Sequence, residues 1–407
     1  MKKTLIISLV VIILGILVFS FINRKGSIEG LIVDSNDSNS FLSAVQIIID
    51  ENKPVENNSL TGTFLLDNLK AGKHILVFKR ENYREKIQEI DLKAGEKLQI
   101  TVQMKARPNV VIQPKMTAVV SNTSSNNISI IDPVDKILLK EIIVGQKPID
   151  ILAIPEKGKI YTANLNDDTI SVVDMKQNSE VKKIKLDDKA QPTKLAISNS
   201  KNQLYVLSRN LAQIYTINTD TDTLEKTPIK VHEYVIDFVV DKSTGNFAVL
   251  SNGYVQIMSG SSIVKAYKFK TPDFYDRIYF NGASNYAYIT HSNKNFIIFV
   301  DLNNDAETTI NLNHKPNVVL ENPKYASVYV LSYDGLTILD SMNREVRKEN
   351  LPIKGVNGIN MKLSKDGDMI LIVNHNTNNI SIFDCKKESI LPETIDVGQN
   401  PRGIDIW

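Results

Sequence analysis

Histidines, acidic pairs, a lone cysteine and five recurring cations are the groups in this chain of 407 residues that could do chemistry. The histidines are His74, His232, His291, His314 and His375, and no two stand at the spacing that places imidazoles on one metal ion. His291 and His375 fall at or beside one turn of a repeat, which suits turn-capping or exposed side chains, while His74 lies inside a strand and reads as structural. Asp167-Asp168, Asp187-Asp188 and Asn303-Asn304-Asp305 lack the alternate carboxylates, central glycine and distal glutamate of a calcium loop, so they read as solvated hairpin tips. With Cys385 as the single cysteine, neither an internal disulfide nor a cysteine metal cage can form. Nothing beside that thiol would clearly lower its pKa for nucleophilic work. No Gly-x-Ser-x-Gly elbow and no glycine-rich phosphate loop occurs. No metal and no cofactor is therefore expected.

The remaining set is Lys147, Lys194, Arg277, Lys315 and Arg402, each at the start of a strand in a repeating pattern. If the repeat carries them to one mouth, they form a cationic ring, and they are the candidate ligand-binding residues. Tyr267, Phe269, Phe274, Tyr275, Tyr279 and Phe280 make a dense aromatic stretch. Core packing explains it, with a sugar- or peptide-stacking surface as the alternative.

The elements that would position these groups recur about every 40 residues from Met116 onward. Val119-Val120-Ser121-Asn122 is followed by Asn127 to Asp132, Tyr161-Thr162-Ala163-Asn164 by Thr169 to Asp174, and Leu371-Ile372-Val373-Asn374 by Asn379 to Asp384. In each copy the Asn and the Asp are ten residues apart. Weaker copies begin near Leu204, Phe247, Tyr286 and Val328, giving seven. A period of this length with four short strands predicts an all-β, seven-bladed propeller over residues 116–407. The column Asn122, Asn164, Ser208, Ser251, His291, Ser332 and Asn374 is expected to bond nearby backbone where the strand turns. The column Asp132, Asp174, Asn218, Asp301, Asp340 and Asp384 is expected to cap the next hairpin, with the fourth copy, Met258-Ser259-Gly260, turning differently. Arg402 to Trp407 is an orphan first strand, predicted to pair near Val119 and close the ring, which removes open sheet edges.

Residues 26–105 read as a small antiparallel β-sandwich, with Ala44–Asp50 paired to Gly26–Asp34, and residues 106–115 as a proline-stiffened linker. Thr4 to Ile22 is a nearly unbroken apolar run of 19 residues, long enough as a helix to span roughly 28 Å. Lys2 and Lys3 precede it, and no small-residue cleavage site follows, so residues 1–25 are expected to be a signal anchor that stays attached. A cleaved signal peptide is the rival. Either way the bulk of the chain is placed outside the cytoplasm, at the cell membrane.

The repeat copies, with Tyr161-Thr162-Ala163-Asn164 and its Ile-Ser-Val-Val-Asp follow-up in front, resemble the YVTN family of β-propeller repeats of bacterial and archaeal surface proteins. Gly30 to Asp34, Ala44 to Ile47, Thr61 to Leu66, Leu69 to Gly72 and Asn82-Tyr83 resemble the carboxypeptidase regulatory-like domain, with Asn82 where that family usually has glycine. The resemblance implies a non-catalytic spacer or adhesive unit carrying a rigid disc.

A formal net charge of only +2 offers no broad basic field for nucleic acid, and none is expected as a partner. The leading expectation is a membrane-anchored binding protein, not an enzyme, that recognises an envelope protein or a cell-wall or surface glycan. A lactonase-like hydrolase working at the channel mouth and an envelope assembly scaffold are the alternatives.

Overall fold

The computed structural model describes residues 24–105 and 116–407, apart from positions 36, 51, 53, 59, 60, 81, 82, 242, 243, 271–274, 282–284 and 292. The expected membrane helix over its first 23 residues, the linker 106–115, Asn82 and Phe274 lie outside the described residues. Among the described residues no helix is long and apolar enough to cross a membrane. The chain divides into two compact units, Met1–Gln113 and Pro114–Trp407.

In the first unit, alternating apolar strands build two four-stranded sheets. One holds Gly26–Asp34, Asp37–Phe41, Thr63–Leu69 and Lys97–Met104; the other holds Val55–Glu56, Gln46–Ile49, Gly72–Lys79 and Lys86–Leu92. Ile28, Ile32 and Val102 from one sheet and Ile47, Leu76 and Phe78 from the other share one core. Two expectations need correction. Gly26–Asp34 pairs in parallel with Lys97–Met104, so the sandwich is not wholly antiparallel. Gln46–Ile49 pairs with Gly72–Lys79, not with Gly26–Asp34. The physical reason is that both early strands turn an apolar face inward, and such faces are buried by packing across a sandwich rather than by lying side by side.

The second unit contains seven antiparallel sheets of inner, second, third and outer strands. Blade 1 joins the C-terminal strand Pro401–Ile406 to Ala118–Asn122, Asn127–Asp132 and Ile137–Ile143. Blades 2 to 7 begin with the inner strands Pro148–Ile154, Pro192–Ile197, Val235–Val240, Tyr275–Asn281, Pro316–Asn322 and Gly358–Leu363. The outer strand of blade 3 is split into Thr223–Leu224 and Ile229–Lys230. Each inner strand touches the inner strand of the next blade, and that of blade 7 touches that of blade 1, so the inner strands form a closed ring. This is a β-propeller, with Ile404 paired to Val120 at the closing seam.

Second and third strands, such as Lys159–Asn164 and Thr169–Asp174, are buried almost throughout because a neighbouring blade covers each face. Some outer strands are strongly polar, as in Val346–Pro352 with its Arg-Lys-Glu, and even the apolar ones, Ile137–Ile143 and Ser262–Lys268, carry lysines, which discourages their free edges from pairing with other chains. The prolines Pro148, Pro192, Pro316 and Pro401 are first residues of their strands, where a missing donor is tolerated. Tyr267, Phe269 and Tyr275 are buried with Phe280 packed against them, so the aromatic stretch is core.

The aspartate column caps as expected. Asp132 Oδ1 accepts from the amides of Val134 and Asp135, and Asp174 Oδ1 from those of Lys176 and Gln177. The asparagine column works otherwise in the three strong copies. Asn122 Nδ2 donates to Asn127 Oδ1 and Ser129 Oγ, both at 2.9 Å, and Asn164 and Asn374 repeat this with Ser171 and Ser381. Side chains of the adjoining strand are the partners because these residues are fully buried and the local backbone is already paired within the sheet.

Candidate functional site

Each of the seven inner strands carries a register shift just after its first residue. Such a bulge re-aims the side chains that follow. Two residues beyond the strand start stand Asp150, Lys194, Asp237, Arg277 and Asn360, which line the central channel. The next residue in each strand, such as Ile151, Leu195, Phe238 or Ile278, is buried between blades. The strand period of two thus sets a polar ring around the axis beside an apolar one in the walls.

At one end the channel opens into a cavity of about 180 Å³ lined by Lys147, Ile149, Asp150, Leu165, Thr193, Lys194, Arg209, Asp237, Arg277, Asn360 and Arg402. Four of the five cations expected from the sequence therefore meet, while Lys315 is exposed and does not line this cavity. Its register matches that of Lys147, but register places a Cα and leaves a long side chain free to point elsewhere. Sequence reasoning missed Arg209. It follows Ser208 directly, on the loop leaving the second strand of blade 3, and the one signal for it was that adjacency to the turn column.

The site gathers five cations against two lining carboxylates, Asp150 and Asp237. Both carboxylates are already engaged. Asp150 Oδ2 accepts from Leu195 N at 2.8 Å, and Asp237 accepts from Phe238 N at 2.9 Å and from Ile278 N at 3.2 Å. Each ties its blade to an adjacent inner strand. Burial lowers the pKa of Arg209, with Arg277 adding to the effect and Asp237 and Asp276 opposing it. Arg402 is exposed as a residue, yet the channel wall desolvates its guanidinium and lowers its pKa, helped by Arg277 and Arg209 and opposed by Asp150. Asp276, beside Arg277, is shifted upward by burial despite the two arginines that favour its ionised form. Guanidinium groups stay protonated at any ordinary pH, so these shifts report cations crowded in a partly dry site.

Deeper, a second cavity of about 230 Å³ shares Asp150, Lys194, Asp237, Arg277 and Asn360 with the mouth. It also reaches Lys362 and Asp405, whose Nζ and Oδ1 are 2.7 Å apart. Asp405 Oδ2 accepts from Ala153 N at 2.9 Å, and Asp405 is the main cause of an upward pKa shift at Lys362. A third cavity of about 480 Å³ continues from this ion pair to Glu156, Lys201 and Lys365.

The histidines do not converge. His74 Nδ1 lies 2.6 Å from Asp50 Oδ2 in the first unit, His291 Nδ1 accepts from Asn293 N, and His375 Nδ1 is 3.0 Å from Pro401 O. Among the described residues no three His, Cys, Asp or Glu side chains are placed to hold a metal ion. Cys385 is buried, and that burial pushes its thiol up to about 11.

No family model matches the chain, and no curated protein matches it. Solved structures do. A candidate 6-phosphogluconolactonase of Bacteroides fragilis aligns over 74% of this chain and 100% of its own, with a TM-score of 0.59 and 14% identity. A hydrazine synthase chain of Kuenenia stuttgartiensis aligns over 66% of this chain and 92% of its own, with a TM-score of 0.57 and 17% identity. Virginiamycin B lyase of Staphylococcus aureus covers 64% of this chain and 90% of its own, at 0.54 and 13%. At such identities the likeness shows the β-propeller fold alone. It also corrects one expectation. The chain was expected not to be an enzyme because its sequence carries no familiar catalytic motif. A lyase, a synthase and a candidate lactonase share its fold, so missing motifs are no ground for excluding catalysis on this scaffold.

Proposed function

We propose that the protein is an envelope binding protein, held at the membrane by residues 1–25, whose propeller mouth recognises an anionic group on an envelope glycan or envelope protein. In this reading residues 26–105 are a spacer of carboxypeptidase regulatory-like type, and residues 116–407 are a YVTN-type propeller whose mouth takes the ligand. The observation that supports it is the convergence of Lys147, Lys194, Arg209, Arg277 and Arg402 on one small cavity. At about 180 Å³ the mouth is smaller than the few hundred Å³ of a drug-sized pocket. It suits a single phosphate or carboxylate group at the end of a larger ligand, and arginine forks match both anions in a bidentate manner.

The test is calorimetric titration of the full-length protein with inorganic phosphate and with acetate, at low and high salt. Binding is expected to weaken as salt rises and to fall at least tenfold in the variant carrying Arg209→Ala and Arg277→Ala. Equal binding by that variant and the parent would remove the reading.

A second reading, lactonase-like hydrolysis at the same mouth, is favoured by Asp276. Burial raises its pKa, it neighbours Arg277 just outside the lining, and Arg277 and Arg209, which do line the mouth, could stabilise a developing oxyanion. Hydrolysis of a model lactone that is lost on Asp276→Asn, with the fold intact, would establish it. No turnover above that of Asp276→Asn would set it aside.

A further inference from the structure

The mouth pairs its cations with two carboxylates, which have no use for a bare anion, and with an amide and a hydroxyl that can both donate and accept. Asp150, Asp237, Asn360 and Thr193 line the same cavity and supply acceptors and a hydroxyl. Two exposed tyrosines occupy registers that elsewhere in the propeller carry residues of this cavity. Tyr234, 65% exposed, immediately precedes the inner strand of blade 4, and its carbonyl accepts from Asn252 N. In blade 2 the carbonyl of Lys147 accepts from Leu165 N in the same way, and both of those residues line the cavity. Tyr333, 51% exposed, follows Ser332 as Arg209 follows Ser208. The backbone positions of both tyrosines therefore match those of residues at the mouth, while their side chains do not line the cavity itself.

Resting on the anion reading above, we propose that the ligand is an anionic pyranose, a sugar bearing a carboxylate or a phosphate. The arginines take its charge, and Asp150 and Asp237 keep lone pairs beyond those given to backbone amides for its hydroxyls. Tyr234 and Tyr333 offer flat apolar surfaces for the C–H faces of the ring or of the next sugar. A simple inorganic anion would offer the two carboxylates few hydroxyl donors. A neutral sugar would leave five cations of the lining facing only two carboxylates. A ligand with both features complements the cations and the acceptors of the lining together.

The experiment is calorimetric titration of the full-length protein with glucuronate, glucose 1-phosphate, acetate, inorganic phosphate and glucose. Glucuronate is expected to bind at least tenfold more tightly than acetate, or glucose 1-phosphate than phosphate, and whichever pair shows the gap identifies the charged group. Tyr234→Ala, a change at an exposed position, is expected to weaken the sugar about three- to tenfold, the size of an aromatic contact, and to leave acetate and phosphate unaffected. Asp150→Asn keeps an acceptor for Leu195 N and removes a carboxylate that opposes any anion, so it is expected to narrow the gap between each anionic sugar and its matched simple anion. Anionic sugars that bind no better than their matched simple anions would overturn the sugar inference and leave the anion reading standing. If none of the five ligands bound, both would fall, and glucose binding as tightly as glucuronate would overturn the anionic half of the proposal.

Discussion

Arg402 is held where burial and two like charges all oppose its ion, with Asp150 as the main relief. Asp237 is in the opposite position, since two buried amides depend on it. Replacing these two neighbours should therefore move stability in opposite directions. Arg402→Ala removes repulsion and leaves no buried partner unpaired, so the thermal midpoint is expected to hold or rise by a few degrees. Asp237→Ala strands Phe238 N and Ile278 N, each costing about 1–3 kcal/mol, so the midpoint is expected to drop by several degrees. Scanning calorimetry of the two variants checks both signs. In the first unit, His74 loses solvation on burial, but the Lys70 carbonyl and the Asp50 carboxylate outweigh that and raise its pKa. The pKa of Asp50 is lowered, its burial outweighed by the Ile75 amide and His74. A raised histidine pKa stabilises the fold below about 6.5 and is lost as pH climbs through the folded value. A lowered aspartate pKa stabilises it above about 3.8 and is lost in acid. The pair should thus contribute most between about pH 4 and 6.5, by no more than about 1 kcal/mol for a half-exposed partner. Urea unfolding of His74→Gln against the parent is expected to differ at pH 5.5 and to converge at pH 8.5.

The blade junctions depend on a buried trio of glycine, asparagine and serine. Gly398 N donates to Ser129 Oγ at 3.2 Å, and a Cβ on Gly398 would lie 2.6 Å from both Asn122 Nδ2 and Ser125 Oγ. Gly145 against Asn164 and Ser171, and Gly355 against Asn374, repeat the contact at two other junctions. Gly260 offers the contrast, with a φ of 56° and nothing within 4 Å of its would-be Cβ. Gly260→Ala should cost about 1–2 kcal/mol, the penalty of a left-handed alanine. Gly398→Ala should cost more, because it displaces the Asn122 amide from two buried hydrogen bonds. Chemical denaturation of the two variants gives the comparison. The trio was partly legible in the sequence. The asparagine column was evident, and a serine stands seven residues after it in each strong copy, yet a partner on another strand could be assigned only once pairing had set Asn122 against Asn127. The site was legible to the same degree. Lys147, Lys194, Arg277 and Arg402 were found because the repeat brings the starts of all inner strands to one end of the channel, although the four stand at three different registers. Arg209 was missed because it stands in a weak copy and outside the column that was followed. Lys315 was included because register carries no information on where a lysine points.

For the molecule as a whole, the ring is shut by a strand from the far end of the chain, and its loss can be weighed. Pro401–Ile406 pairs with Ala118–Asn122, burying Ile404 to 5% and Ile406 to 7% exposure. Each such side chain stabilises the fold by about 1.5–3 kcal/mol. The strand also supplies Asp405 to Ala153 N and to Lys362, Gly403 N to Ser121 Oγ, and Trp407 N to Thr117 O. Together these reach the scale of about 5–15 kcal/mol that holds a typical domain folded. Deleting residues 401–407 would leave the strand Ala118–Asn122 as a bare apolar edge, and such an edge templates aggregation. The truncated protein is expected to lose the cooperative thermal transition of the propeller and to form oligomers on size-exclusion chromatography. Ile404→Asp, which keeps the strand and Arg402, should lower the midpoint strongly while the protein stays monomeric, because the edge remains covered. The closing strand was readable beforehand, since Arg402 to Trp407 matches Ile149 to Ile154 after a shared proline. The bulge that turns Arg402 toward the channel was not, because it comes from the pairing of Pro401 with Asn122 and of Ile404 with Val120, two residues apart on one strand and three on the other. If the truncated chain melted within a few degrees of the parent and remained monomeric, the ring would not owe its integrity to this seam, and the placement of Arg402 in the mouth would lose its structural basis.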